Sequence, residues 1–253
     1  MRLATFNVLH GRAPADDVVD AARFAAAVRT LDADVLALQE VDRNQARSAH
    51  ADLTAIAAEA MGATEQRFVA AMAGTPGGTW SAATGEEQPD AAAYGIALLS
   101  RHPVSSWDVV RLPVLPVRLP MWFRNSRRFG LVRDEPRVAV VARVGTPRGE
   151  LIVANTHLSF VPGWGRRQLR ALVMALASTT PLLLLGDLNM SPPAAVATTR
   201  MEPLASALTF PAHAPTRQLD HVLARGLDGW VVSGSAAREL AVSDHRALVV
   251  DLD

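Results

Sequence analysis

The sequence has no cysteine, which removes disulfides, thiolate nucleophiles and zinc–sulfur centres from consideration. It has no lysine either, so all 25 basic side chains are arginine. Schiff-base chemistry and a lysine-dependent nucleotide-phosphate loop are therefore excluded. No charge-free apolar run approaches the roughly 20 residues that cross a bilayer, and residues 1–9 read as a strand rather than as a secretion signal. With 25 acidic residues the formal net charge is zero, so attraction to nucleic acid must come from local patches rather than from the whole molecule. A reducing cytoplasm is the compartment that fits. What remains is a catalytic vocabulary of carboxylate, amide, histidine, hydroxyl and arginine.

Short apolar runs bounded by turn residues recur at 3–9, 35–38, 96–99, 138–141, 151–154, 182–185 and 247–252. They do not alternate, so several are expected to be strands buried on both faces. Between them, Phe24, Ala27, Val28 and Leu31 fall at i, i+3, i+4 and i+7, as do Leu53, Ile56, Ala57 and Ala60, and Leu169, Leu172, Val173 and Leu176. Each set predicts a helix with one apolar stripe. Gly62 is placed to cap the second, and Pro181 to stop the third before the strand at 182. Segments 74–93, 112–136 and 191–218 read as loops, none separating two self-sufficient cores. The chain is expected to be one α/β domain over residues 1–253.

Polar, metal-competent residues stand where the apolar runs end. Run 35–38 leads into Gln39 and Glu40, run 151–154 into Asn155, Thr156 and His157, and run 182–185 into Gly186, Asp187, Leu188 and Asn189. Asn7 lies in the first strand, and Asp220/His221 and Asp244/His245 each precede a strand-like run. Singly, such pieces are turns, caps or solvated residues; if the strands share an edge, their ends converge. Asp187 and Asn189 both reach that point only with a turn beyond Gly186. The histidines lie on separate elements, which argues against a helical zinc site. His10, His50, His102, His213 and His221 read as structural or solvated.

The ordered set Thr5-Phe6-Asn7, Leu38-Gln39-Glu40-Val41, Tyr94-Gly95-Ile96, Thr156-His157-Leu158, Gly186-Asp187-Leu188-Asn189, Asp220-His221-Val222 and Ser243-Asp244-His245 resembles the endonuclease/exonuclease/phosphatase superfamily. The resemblance implies a two-sheet β-sandwich flanked by helices on both outer faces, with the site at one sheet edge. It implies Glu40 as main magnesium ligand, with Asn7 and Asp244 completing or supporting the site and manganese as a possible substitute. Asp187 and Asn189 would orient water and phosphate, and His245 would act as base or transition-state donor oriented by Asp220. His157 would help the leaving oxygen, and Tyr94 would lie on the phosphate side. This chemistry agrees with the residue types: a hard cation on carboxylates neutralises phosphate charge, and a carboxylate-bound imidazole exchanges a proton near neutrality.

Arg118, Arg124, Arg127, Arg128, Arg133, Arg137 and Arg143 crowd one stretch with Trp122, Phe123 and Phe129. Arginine matches phosphate and stacks on bases, so Arg124, Arg127 and Arg128 are candidate substrate contacts. The same mixture suits an anionic membrane or a solvated loop. The expected reaction is hydrolysis of a phosphodiester, with nucleic acid ahead of a phospholipid headgroup and a phosphomonoester third, and with no obligate protein partner. A non-catalytic binding protein on the same fold is the competing reading.

Overall fold

Unbroken apolar runs become strands covered on both sides. In the computed structural model, which describes residues 1–76, 78–123, 128–132, 134–161 and 163–253, strands numbered along the chain form two mixed sheets. Seven lie in the spatial order β16 (Val232–Arg238), β17 (Ala247–Leu252), β1 (Arg2–Asn7), β4 (Val35–Arg43), β7 (Ala93–Ser100), β5 (Glu65–Gly74) and β6 (Trp80–Ala82). Six lie in the order β14 (Glu202–Pro203), β15 (Asp220–Arg225), β13 (Leu182–Asp187), β12 (Gly149–His157), β11 (Val138–Thr146) and β8 (Val104–Arg111). Two small ribbons pair β2 (Arg12–Ala13) with β3 (Val18–Val19), and β9 (Leu119–Phe123) with β10 (Arg128–Val132).

Successive side chains of each central strand serve different cores, as a period of two requires. Leu3, Val35, Ala37, Leu98, Val140, Val153, Leu183 and Val250 fill the space between the sheets. Their neighbours Ala4, Phe6, Leu36 and Leu38 face α1 (Ala21–Leu31) and α2 (Leu53–Met61). On the other side Val141, Ile152, Leu182 and Leu184 face α3 (Trp164–Ala175) and α4 (Pro192–Thr199). The result is a helix–sheet–sheet–helix sandwich, as the sequence resemblance implies.

The helices follow their stripes. Phe24, Val28, Leu31, Leu53, Leu169 and Leu172 are all buried, each contributing roughly 2 kcal/mol by leaving water. Asp20 caps α1 by accepting from the Arg23 N–H at 2.7 Å, and Asp52 caps α2 by accepting from Ala55 N–H at 3.0 Å. Gly62, at φ +69°, ends α2 by donating to the carbonyls of Ala58 and Glu59. No helix of the described residues is long and apolar enough to cross a membrane.

The segments read as loops carry more structure than expected. Segment 74–93 contains β6, segment 112–136 contains β9 and β10, and segment 191–218 contains α4 and β14. Helix α4 is masked in the sequence by Pro192 and Pro193, but at the first helical positions a missing N–H breaks no helical hydrogen bond. Strands β8 and β16 lie near sheet edges with largely exposed or half-buried residues, so they leave no apolar run to read. Arg124 and Arg127 lie outside the described residues, and of Arg128 only the backbone is described.

Candidate active site

Strand direction brings the polar flanks together. Parallel pairing of β1 with β4, and of β12 with β13, sets their C-terminal ends side by side in each sheet. Their antiparallel neighbours β7, β11, β15 and β17 enter at that same edge, so their N-terminal flanks arrive there. Thus Asp187 pairs with Asp220, and Ala139 with Thr156, leaving Arg137 beside the end of β12. The two sheets meet at this edge through Asn7, whose Nδ2 donates at 3.0 Å to Glu40 Oε1 and at 3.0 Å to Asp187 Oδ2.

Backbone strain collects here. Glu40 occupies a bulge of β4 against β7, where Gln39 pairs with Ile96 and Val41 with Gly95, and it adopts φ +57°. A left-handed non-glycine costs about 1–2 kcal/mol, and the bulge re-aims its carboxylate into the cleft. Asn189 is also left-handed, at φ +51°. That is the turn beyond Gly186, and it is closed by Asn189 N–H donating to Asp187 Oδ1 at 2.9 Å. At Gly186 a Cβ would lie 1.9 Å from the Thr156 carbonyl oxygen, so the chain can approach β12 only without a side chain.

Beneath the site, a buried amide network ties the sheets together. Gln39 Nε2 donates to Asn155 Oδ1 at 2.7 Å and to Thr5 Oγ1 at 3.0 Å. Asn155 Nδ2 donates in turn to the carbonyls of Leu38 at 2.9 Å and Ala97 at 2.8 Å. These residues are fully buried, and satisfied networks of this kind fix one arrangement of a core.

Two histidines flank Asp187, with His157 Nε2 at 3.6 Å and His245 Nε2 at 3.8 Å from Oδ2. His245 Nδ1 is 2.9 Å from Asp220 Oδ2. Burial opposes charge on His245, but the charge and hydrogen bond of Asp220, helped by Asp187 and Asp244, carry its pKa up to about 9. His157 goes the other way, held well below the usual range by burial and by the charges of Arg137 and His245. Near neutrality the pair is therefore one cation and one neutral ring. Burial and the neighbouring Asp220 raise the Asp187 carboxyl, against His245, Asn7 and Asn189. The same Nε2 of His157 also lies 3.3 Å from the amide nitrogen of Asn189.

Glu40, Tyr94, His157, Asp187, Asn189 and His245 line one cleft of about 510 Å³. Asn7 and Asp220 stand behind it. Asp244 does not line it: its residue faces a neighbouring hollow with Pro14, His213 and Glu239 and reaches Glu40 and His245 through its charge. The cleft is also lined by Arg47, Trp80, Phe210 and Arg217, which no sequence pattern singles out, by Arg137 of the arginine-rich stretch, and by His10, which reads as structural or solvated in the sequence. His10 is half-buried with its pKa lowered to about 4 by burial and by Arg47 and Arg12. Phe210 packs on the His245 ring at 4.8 Å between centroids. The one available signal was Arg137 standing directly before a strand run. Phe210 and Arg217 carried none, because a loop delivers them. His221 is buried and bonded to the Met190 carbonyl at 2.9 Å, a structural role.

A hard divalent cation suits Glu40. Its carboxyl is pushed up chiefly by burial, and its only hydrogen bond among the described residues comes from Asn7. No arginine or histidine among them closes an ion pair with it, although the charges of Arg137 and His245 are felt there, so the carboxylate is open to a directly bound cation. Asp187, Asp220 and His245 also place ligand atoms within 4.8 Å of one another, and there His245 Nδ1 and Asp220 Oδ2 already share a hydrogen bond. In the present arrangement Asn7 turns its amide nitrogen to Glu40, while its Oδ1 accepts from Leu9 N–H at 3.1 Å.

A family model described as endonuclease/exonuclease/phosphatase family matches residues 4–245. No curated protein sequence matches the chain. Among solved structures, an endonuclease/exonuclease/phosphatase from Beutenbergia cavernae is similar at 26% identity and TM-score 0.72, over 100% of this chain and 71% of that one. A mannosyl-6-phosphatase from Bacteroides thetaiotaomicron is similar at 16% identity and TM-score 0.66, over 100% and 99%. Sphingomyelinase C from Streptomyces griseocarneus is similar at 16% identity and TM-score 0.60, over 99% and 98%. At those lower identities the likeness is one of fold.

Proposed function

Because the chain belongs to the endonuclease/exonuclease/phosphatase family, whose hydrolases act on phosphate esters, we propose that it is a divalent-metal-dependent phosphodiesterase. Magnesium is the proposed ion, manganese its substitute, and Glu40 the anchoring ligand, with Asn7 beside it. When bound, such an ion supplies charge neutralisation to the phosphate. The chain's own groups supply the rest. Asp187, held by Asn7 and Asn189 and raised in pKa, accepts the proton of the attacking water. His245, cationic and oriented by Asp220, donates to the phosphoryl oxygen as charge develops on it. Asn189 and neutral His157 hold the phosphate from the other side.

The observation that carries a diester rather than a monoester is the position of Asn189 where two hollows meet. The cleft of Glu40 and the two histidines shares Asn189, Arg217 and Leu219 with a second hollow lined by Ser191, Ser206 and Thr216. A phosphorus atom there has room for an ester group on either side. Arg217, stacked 5.1 Å from the Phe210 ring centre, stands at the junction and suits a nucleic-acid strand, which we place ahead of a phospholipid headgroup. The test is turnover of single-stranded DNA and RNA, sphingomyelin vesicles, a small chromogenic diester and its monoester, each with magnesium, manganese or a chelator. Metal-dependent cleavage of diesters supports the proposal. Turnover of monoesters alone would overturn it.

A further inference from the structure

Arg137 is the unusual cation of the cleft. It stands directly before β11, beside the end of β12, and is only 5% exposed. A guanidinium has five N–H donors, yet it donates no hydrogen bond among the described residues, and its Nε is buried without a partner. The nearest acids are Glu135 Oε2 at 3.4 Å and Asp134 Oδ1 at 3.9 Å from Nη2, neither closed into a hydrogen bond. Asp134 is itself buried; Ser159 and the backbone of Glu135 lie close enough to act on its carboxyl, but neither of its oxygens closes a full hydrogen bond. A purely structural ion pair would close both partners onto each other, because buried charges are tolerated only when hydrogen-bonded.

The other cleft arginines differ. Arg47 is committed to Asp42 at 2.6 and 2.8 Å, and Arg217 is exposed. Arg47 is felt by Glu40 and Tyr94, whereas the charge of Arg137 reaches those two and His157 as well, and its side chain lines the cleft. A planar fork with spare donors matches two oxygens of a phosphate.

We propose that Arg137 is a phosphate-binding residue, whose buried guanidinium takes non-bridging oxygens of the substrate's phosphate even when no metal is bound. The identity of the anion rests on the phosphoesterase reading, whereas the test does not require turnover. Inorganic phosphate is titrated into chelator-treated protein and followed by calorimetry and by the shift in melting temperature. Wild type should bind, and Arg137→Gln should bind at least tenfold more weakly, with Arg137→Lys in between. Should Arg137→Gln fail to fold, Glu135→Gln decides: removing the nearest competing carboxylate should tighten phosphate binding at least threefold, and unchanged or weaker binding overturns the proposal. Folded Arg137→Gln binding phosphate like wild type also overturns it, even if the enzyme hydrolyses diesters. Phosphate binding that depends on Arg137 in a protein with no esterase activity leaves Arg137 assigned and removes the phosphodiesterase reading.

Discussion

At the scale of single residues the site is a set of groups held in states that water would not choose. Burial pushes the Glu40 carboxyl up and its backbone is left-handed at φ +57°, both costs falling on the fold; under the proposed reading this carboxylate holds the cation. Glu40→Gln removes the charge at nearly constant volume, so turnover should fall at least a hundredfold while the metal-free protein melts at the same or a higher temperature. Loss of folding, or activity retained with unchanged metal affinity, would remove Glu40 from the metal site. His245 gives the pH prediction. Its pKa is raised from 6.5 to about 9, so its proton stabilises the metal-free fold fully below pH 6.5, and that contribution is lost as pH rises through about 9. If the cation is the working form, kcat/KM falls over the same alkaline range. Asp220→Asn takes away the charge that raises the pKa and leaves only a neutral, weaker acceptor, so the alkaline limb should move to lower pH. An alkaline limb that stays in place contradicts the donor role.

At the scale of elements, what was legible in the sequence follows burial. Strands β1, β4, β12 and β13 are covered on both faces and announce themselves as apolar runs, whereas β8 and β16, half open to solvent, do not. Helices α1, α2 and α3 carry stripes, but α4 is short and opens on two prolines. The same division runs through the site. Glu40, His157 and Asp187 stand at the ends of readable strands, so their convergence follows from shared direction. Arg137 has one signal, its place directly before the readable run of β11, whereas Phe210 comes in on a loop, where no periodicity gives the address. Asn155 shows how an element's identity reaches the site: from the middle of β12 it binds two carbonyls of the opposite sheet and Gln39 beside Glu40. Asn155→Leu keeps the volume but strips those partners, and should cost about 2–4 kcal/mol in urea unfolding. It should also lower kcat through the loosened bulge. A loss under about 0.5 kcal/mol, the size expected of an ordinary surface change, would show that the sheets keep their registry without it.

At the scale of the whole molecule, formal net charge is zero, so a polyanionic substrate is not drawn in by the protein as a body and must be gripped locally. The junction of the two hollows at Asn189, Arg217 and Leu219 makes Arg217 the exposed cation best placed for a second phosphate along a strand. Each phosphate so neutralised releases condensed counterions and adds roughly 0.7 to the slope of affinity against salt for a single strand. Arg217→Gln should therefore raise KM for a long single-stranded substrate severalfold at low salt and flatten its salt dependence by about one contact. A small chromogenic diester, too short to reach the second hollow, should be cleaved at the wild-type rate. Equal loss on both substrates would mean that Arg217 serves the reacting phosphate itself. No change on either would mean that the second hollow holds no part of the substrate, and the argument for a polymer over a small diester would lose its geometric support.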